Sequence, residues 1–140
     1  MGARSSGREA ALQMLFALEV SGASAERVIG YFWRETPGDP EGRAYADKVV
    51  RGVATDLERV DESIRKASTN WRIERMARVD RNVLRLGAWE LAASGEVPRA
   101  VILDEAVELA KRFGSEDSGS FVNGVLDRVA SDLGRVDRDR

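Results

Sequence analysis

The amino-acid sequence predicts an all-α protein that forms a single domain over residues 1–140. Only three prolines occur, Pro37, Pro40 and Pro98, so long stretches lack the residue that most strongly interrupts helices. Between these breaks, apolar residues recur every three or four positions, which is the period of a helix packed on one face, and they do not alternate as in a strand. A chain of 140 residues with 43% hydrophobic residues can bury one core without disulfides or metals.

The N-terminal third predicts two helices and a loop. The first helix runs from about Ser6 to Val20, and Ser21-Gly22 ends it. The second covers about Ala25 to Arg34. The segment Thr36 to Pro40 contains two prolines and a glycine, which favour a loop.

A third helix is predicted to be the longest and to lie at the centre of the fold. Apolar residues step by three and four from Ala46 to Ile64 without a proline, over about five turns. Such a stripe could also be the seam of a coiled coil, but it lacks the sustained heptads that a coiled coil requires. We therefore expect this face to pack in the core.

The C-terminal half predicts a short turn or helix followed by three further helices. Their approximate bounds are 70–76, 77–93, 98–113 and 118–133, with Gly114 as the cap that ends the third of these segments. Asp117 or Ser118 can cap the last helix through a side-chain oxygen. The dipeptide Asn123-Gly124 is typical of a hairpin, but the flanking apolar residues keep the helical period. We expect Gly124 to permit the close approach of another helix, with the approach of a partner as the alternative, and we expect residues 134–140 to fray.

The composition excludes several classes of function. The chain has no cysteine and no histidine, so it has no thiolate nucleophile, no Cys/His zinc site and no imidazole acid or base. Its acidic residues show no recognisable spacing for magnesium ligands, and we expect neither an enzyme nor a cofactor. No apolar run is long enough for a signal peptide or a membrane span, which indicates a cytoplasmic protein without membrane contact. With 22 Lys+Arg against 24 Asp+Glu, any nucleic-acid site must be local.

Two arginines near the N-terminus are candidates for binding phosphate. On a helical wheel Arg4 and Arg8 lie on the same side as Ala11 and Leu15, where we expect them to prolong the stripe beyond its packed part. Cations four residues apart repel each other, and at a helix N-terminus they also oppose the dipole. A bound phosphate would relieve both effects. The alternative is two solvated arginines on a frayed terminus.

A second candidate is a stripe of arginines in the fifth predicted helix. Arg78, Arg81 and Arg85 lie at i, i+3 and i+7, opposite the apolar stripe, and Trp89 follows one turn later. Guanidinium groups beside an aromatic ring suit RNA, where unpaired bases stack and phosphates accept paired hydrogen bonds. The alternative is the charged outer face that any surface helix shows.

Several segments resemble the NusB family of bacterial transcription antitermination factors. The likeness spans roughly residues 4 to 133 and is most specific in the C-terminal half. The segments that carry it are Arg8 to Phe16, Tyr45-Ala46, Val50 to Val53, Asn70-Trp71, Val79 to Leu91, Val97-Pro98, Asp104 to Gly114, and Ser118 with Phe121 to Asp127.

The resemblance implies a NusB-like fold of about seven helices in two packed helical subdomains, without catalytic activity. Members of the family bind the boxA element of nascent RNA together with NusE, a protein of the small ribosomal subunit. The assembly joins the RNA polymerase elongation complex with other Nus factors and promotes readthrough, notably in ribosomal RNA operons. Some relatives self-associate, so a homodimer is a further possibility.

The resemblance also implies roles for particular residues. The first helix is expected to meet RNA through Arg4 and Arg8, with Gln13 and Phe16 nearby. The remaining implied sites are a base-contacting patch at Asp117, Ser118 and Phe121, and a position facing NusE or the adjoining RNA at Asp80, Arg81 and Leu84.

One departure from the family concerns the N-terminus. Relatives often carry a dense arginine run there, whereas this chain has Arg4-Ser5-Ser6-Gly7-Arg8. Fewer cations imply weaker RNA binding by the isolated protein and greater dependence on NusE.

Two alternatives remain open. One is a helical adaptor that binds proteins and does not contact RNA. The other is an RNA-targeting domain like that fused to ribosomal RNA cytosine methyltransferases, which would have to act in trans because no cofactor motif follows it.

Overall fold

The fold is all-α, as the sequence predicts. The computed structural model describes residues 2–135, and within that range it contains seven α-helices, one short 3-10 turn and no strand. The helices are α1 (Ala3–Ser21), α2 (Ala25–Glu35), α3 (Pro40–Thr55), α4 (Leu57–Ala67), α5 (Arg78–Ala93), α6 (Arg99–Phe113) and α7 (Ser118–Asp132), and the 3-10 turn is Ile73–Arg75.

The prediction of one long third helix is wrong. The helix breaks at Asp56, whose φ of −103° and ψ of 21° leave the helical region, so α3 and α4 are separate. Thr55 and Asp56 are both weak helix formers, and an aspartate side chain competes for backbone hydrogen bonds. Leu57 consequently leaves the buried stripe and is 37% exposed.

The chain divides into two compact units at this break, the first ending at Thr55 and the second beginning at Asp56. The first unit contains α1 to α3 and the second contains α4 to α7. The two units are described separately below.

In the first unit, glycines let α1 and α3 pack closely. A Cβ atom on Gly7 would lie 2.8 Å from the carbonyl oxygen of Gly42, closer than real Cβ atoms approach backbone, and 3.2 Å from the Cβ of Tyr45, which is also tight. Gly7 and Tyr45 are both buried at this crossing. The crossing therefore fixes which α3 side chains face the start of α1.

Polar contacts join α2 to α3 in the same unit. The indole Nε1 of Trp33 donates a 2.7 Å hydrogen bond to Asp47, and the Arg51 guanidinium donates two, of 2.8 and 2.9 Å, to the Glu26 carboxylate. The hydrogen bond from Arg51 lowers the pKa of Glu26 from its ordinary value. Both members of this ion pair are exposed, so it is a surface contact.

The second unit packs α5 against α4, α6 and α7. All four helices contribute to its most completely buried side chains, which include Ile64, Leu84, Leu86, Ile102 and Leu126. Gly87 belongs to this packing, since a Cβ there would lie 2.6 Å from Leu126 Cδ1.

The start of α7 differs from the capping prediction. Asp117 makes no side-chain cap hydrogen bond. The Ser118 hydroxyl accepts a 2.9 Å hydrogen bond from the backbone N–H of Ser115, which lies before the helix. Gly124 is helical, but an added Cβ would meet nothing within 4 Å, so the expected close packing at Gly124 is wrong.

The end of the described chain is held against α5. The Arg135 guanidinium donates hydrogen bonds to the carbonyl oxygens of Leu91 at 2.8 Å and Ser94 at 3.2 Å, and also to that of Val97. A cation at these last carbonyls complements the helix dipole. The expectation of a frayed tail from residue 134 is therefore wrong at Arg135, and residues 136–140 lie outside the described range.

Candidate nucleic-acid interface

An exposed pair of aromatic rings lies at the start of α7 in the second unit. The rings of Trp71 and Phe121 meet edge to face, with centroids 6.3 Å apart and an interplanar angle of 83°. Trp71 is 61% exposed, and Phe121 is partly exposed. We call these two residues the aromatic patch.

Two hydrogen bonds with Ser68 hold the backbone of Trp71 in place. The Trp71 N–H donates a 3.2 Å hydrogen bond to the Ser68 carbonyl, and the buried Ser68 hydroxyl donates a 3.1 Å hydrogen bond to the Trp71 carbonyl. These contacts form a tight turn after α4. The turn holds a large ring in solvent, which suits stacking on an unpaired base.

Positive charge lies beside the aromatic patch. Arg72 is adjacent to Trp71, and its side chain is 75% exposed. Lys111, at the end of α6, lies against Gly119, because a Cβ on Gly119 would be 3.1 Å from Lys111 Cγ. The Lys111 chain therefore runs along the first turn of α7, where helix N–H groups also favour anions.

The predicted patch of Asp117, Ser118 and Phe121 is thus only partly accessible. Asp117 is exposed and Phe121 is partly exposed. Ser118 is 1% exposed, and its hydroxyl also contacts that of Ser115 at 3.2 Å. We correct the expectation for Ser118: its side chain shapes the turn before α7 and does not face solvent.

The arginine stripe of α5 is not the open basic face that the sequence indicates. Arg81 donates hydrogen bonds of 3.1 and 2.9 Å to the carbonyls of Ile73 and Met76, which holds the 3-10 turn against α5. Arg85 donates two hydrogen bonds to Asp61, and its side chain is 15% exposed. Arg78 is exposed. The stripe therefore mainly holds neighbouring elements in place.

Of the three residues expected to face NusE, Asp80, Arg81 and Leu84, one is not accessible. Leu84 is 0% exposed, so direct contact between its side chain and a partner is excluded in this fold, and Leu84 belongs to the core. Asp80 and Arg81 are partly exposed. One carboxylate oxygen of Asp80 is buried without a hydrogen-bond partner among the described residues.

In the first unit, Arg4 and Arg8 face one aromatic ring. Their guanidinium carbons lie 5.5 and 5.4 Å from the centroid of the Tyr45 ring, within the range of cation–π attraction. Arg4 is exposed, but Arg8 is only 2% exposed. The expectation of two solvent-facing arginines is wrong for Arg8, because the close α1–α3 crossing at Gly7 covers it.

Gln13 and Phe16 lie further along α1 and are both exposed, Phe16 by 39%. Residues three apart share one helix face, so the two side chains form one accessible surface. Arg4 belongs to the opposite end of the same helix.

Sequence reasoning missed Trp71 and Tyr45 as members of these sites. Trp71 follows Asn70 in the most basic stretch of the chain, and an aromatic ring among arginines was the available signal. Tyr45 gave no such signal, since its role depends on which face of α3 meets α1.

Comparison with known proteins identifies the family. A profile described as the NusB family matches residues 5–131. The chain belongs to the NusB family. A relative from Sorangium cellulosum strain So ce56, the transcription antitermination protein NusB, is 81% identical over the full length of both chains. The transcription antitermination protein NusB of Myxococcus xanthus strain DK1622 is 45% identical to this chain, and the alignment covers 96% of this chain and 99% of the relative.

Solved NusB structures share the fold. NusB from T. maritima superposes with a TM-score of 0.84 at 36% identity, covering 94% of this chain and 92% of that one. A chain from the crystal structure of antitermination factors NusB and NusE in complex with dsRNA has a TM-score of 0.86 at 28% identity, with 94% and 98% covered. The NusB-like fold that the sequence predicts is confirmed.

Within the described residues, no helix is long and apolar enough to cross a membrane. Over the same part of the chain, no three or more acidic side chains gather in the way that a metal site needs.

Proposed function

We propose that this chain is a transcription antitermination factor that binds the boxA element of nascent RNA together with NusE. The complex joins elongating RNA polymerase with other Nus factors and promotes readthrough, notably in ribosomal RNA operons. Membership of the NusB family carries the proposal. It is supported by the solved relative that holds NusB and NusE with double-stranded RNA.

The role is that of a binding protein in the bacterial cytoplasm, where transcription takes place, and not that of an enzyme. A chain without cysteine or histidine lacks the side chains that most often act as nucleophiles and general bases. Recognition must therefore come from stacking, hydrogen bonds and a few local cations.

For RNA contact we propose the aromatic patch with Arg72, Lys111 and the exposed Asp117 on the second unit. Trp71 supplies an open ring for stacking, and the cations meet the phosphates that flank the stacked base. On the first unit, Arg4, Gln13 and Phe16 provide exposed groups of suitable chemistry. Asp80 and Arg81 remain the proposed contacts to NusE or to the adjoining RNA.

A titration of labelled boxA RNA, with and without NusE, tests the proposal. We expect Trp71→Ala to weaken RNA binding roughly tenfold, since one stacked base contributes about 1–3 kcal/mol. Tyr31→Ala is a matched control, because Tyr31 is an equally open aromatic, 64% exposed, on α2 of the first unit. A scrambled RNA that bound as well as boxA in both conditions would contradict the proposal.

The alternative is a helical adaptor that binds proteins without touching RNA. The internal contacts of Arg81 and Arg85 favour it, because they engage two cations of the α5 arginine stripe that the sequence predicts for RNA contact. The adaptor would bind NusE normally, and Trp71→Ala would change nothing in the RNA titration.

A further inference from the structure

The segment between α4 and α5 is buried at one end and exposed at the other. Ile73 and Met76 are both buried, so two of its side chains pack in the core of the second unit. Trp71 precedes Ile73 by two residues and is open to solvent. The position of this ring therefore depends on how the backbone of the segment is held.

Ser68 holds the segment from the side of α4. Its N–H donates a 2.9 Å hydrogen bond to the carbonyl of Ile64 in the last turn of α4, and its hydroxyl donates one of 3.1 Å to the carbonyl of Trp71. Ser68 is buried and uncharged. Any effect of this side chain on RNA binding must therefore pass through the backbone of Trp71.

Arg81 holds the same segment from the side of α5. Its Nη1 donates hydrogen bonds of 3.1 and 2.9 Å to the carbonyls of Ile73 and Met76. Ile73 begins the 3-10 turn and Met76 follows its last residue, so both ends of the turn are fixed. Hydrogen bonds from a charged donor are stronger than those between neutral groups. The chain that leads away from Trp71 is thus tied to a second helix.

Phe121 supplies a third contact, to the ring itself. Its own ring lies edge to face with that of Trp71, and it projects from α7. The backbone of Trp71 is thus held from α4 and α5, and its ring is oriented from α7. These contacts all exist within the protein in the absence of RNA.

We propose that Ser68 and Arg81 are positioning residues for RNA binding, because they hold Trp71 in its stacking orientation before RNA arrives. The inference rests on the proposed function, in which Trp71 stacks on a base. A ring that is already ordered loses less conformational freedom on binding, and this raises the affinity. Neither side chain has to touch the stacked base to have this effect.

The alternative is that the two residues only stabilise the fold. Their substitution would then lower the melting temperature and leave the RNA affinity of the folded protein unchanged. Ser63 provides a matched control, because its hydroxyl donates a 2.7 Å hydrogen bond to the carbonyl of Val60. Ser63→Ala therefore removes a hydrogen bond of the same kind within α4.

The first measurement follows the Trp71 ring without RNA. The three tryptophans of the full-length protein are replaced by 5-fluorotryptophan, and Trp71→Phe assigns the fluorine NMR signal of Trp71. We expect Ser68→Ala and Arg81→Met each to move this signal toward that of free 5-fluorotryptophan, because the ring leaves the edge of Phe121. Ser63→Ala should leave the signal in place.

The second measurement is the boxA titration with NusE, at a temperature where circular dichroism shows every variant to be folded. We expect Ser68→Ala and Arg81→Met each to weaken binding about fivefold, the cost of ordering one large side chain. In a Trp71→Ala background the same substitutions should alter the affinity by less than about twofold, because no ring remains to be positioned. Ser63→Ala should change the affinity in neither background.

The outcomes separate this inference from the proposed function. Unchanged RNA affinity or an unchanged fluorine signal in the folded Ser68→Ala and Arg81→Met variants would overturn the inference alone, provided that Trp71→Ala weakens binding. An equal loss from Arg81→Met with and without Trp71 would overturn the positioning role of Arg81 and assign it a direct contact with RNA. Normal RNA binding by Trp71→Ala would contradict the proposed RNA surface and the inference together.

Discussion

Arg85 on α5 donates hydrogen bonds of 2.9 and 3.0 Å to the two carboxylate oxygens of Asp61 on α4. Their side chains are 15% and 12% exposed, so the pair is largely removed from water. An ion pair of this kind joins two helices in one defined geometry. It also uses a cation that the sequence places on an outer face.

Removal of Asp61 should destabilise the protein strongly. Asp61→Ala removes the carboxylate that accepts two hydrogen bonds from the largely buried Arg85 guanidinium, a loss that costs about 3 kcal/mol in comparable pairs. Urea unfolding followed by circular dichroism measures the loss. Arg128→Ala breaks a more exposed ion pair on α7 and should change the free energy of unfolding by less than about 1 kcal/mol. Equal effects of the two substitutions would show that burial of the Arg85–Asp61 pair is unimportant.

Arg4 and Arg8 should respond differently to charge reversal, although both face Tyr45. Arg8→Glu replaces a buried cation with a buried carboxylate at the α1–α3 crossing and should lower the melting temperature markedly. Arg4→Glu alters an exposed side chain, so stability should change by no more than about 0.5 kcal/mol while boxA binding weakens. Thermal denaturation and the RNA titration separate the two effects. A stable Arg8→Glu variant would contradict the buried position of Arg8.

Two glycine substitutions in the first unit should change the free energy of unfolding in opposite directions. Gly7→Ala places a methyl group against the backbone of α3, and the forced separation should cost about 1–3 kcal/mol. Gly30→Ala, in the middle of α2, meets nothing within 4 Å and should stabilise the protein by up to about 1 kcal/mol through helix propensity. Chemical denaturation of both variants beside the parent protein is the measurement. Stabilisation by Gly7→Ala would exclude the close crossing.

The surface pair of Glu26 and Arg51 predicts a pH dependence. The Arg51 hydrogen bond lowers the pKa of Glu26 from 4.5, so the carboxylate is favoured in the folded state. The resulting stabilisation is fully present above pH 4.5 and is lost as the pH falls through the lowered pKa. Above this pH range, the parent protein should have a slightly larger free energy of unfolding than Glu26→Gln, and below it the difference should disappear. Denaturation at pH values on both sides of the range measures this. An advantage that persisted in acid would mean that the carboxylate charge is not its source.

The helices themselves follow from the sequence because their signals are local. Ser21-Gly22 ends α1, Gly114 ends α6, and the apolar period outweighs the hairpin dipeptide Asn123-Gly124. The break at Asp56 was missed because an apolar period continues across it on both sides. Local patterns determine the helical elements, but a pair of weak helix formers inside such a pattern, here Thr55 and Asp56, is easily overlooked.

The candidate sites were less predictable because they depend on which helices meet. A helical wheel correctly places Arg8 beside Ala11 and Leu15, but only the approach of α3 at Gly7 decides that this end of the stripe is buried. The same limit applies to Arg85, since its partner Asp61 lies 24 residues earlier in the chain. Phe121 was expected from the family resemblance, and its contact with Trp71 required the structure.

The contact of Arg135 with the end of α5 sets a boundary for deletion of the C-terminus. Removing residues 136–140 leaves every described hydrogen bond intact, whereas removing one residue more takes away the donor that reaches the carbonyls of Leu91, Ser94 and Val97. A short affinity tag that replaced Arg135 would remove the side chain that closes α5, whereas a tag attached after residue 140 would keep it.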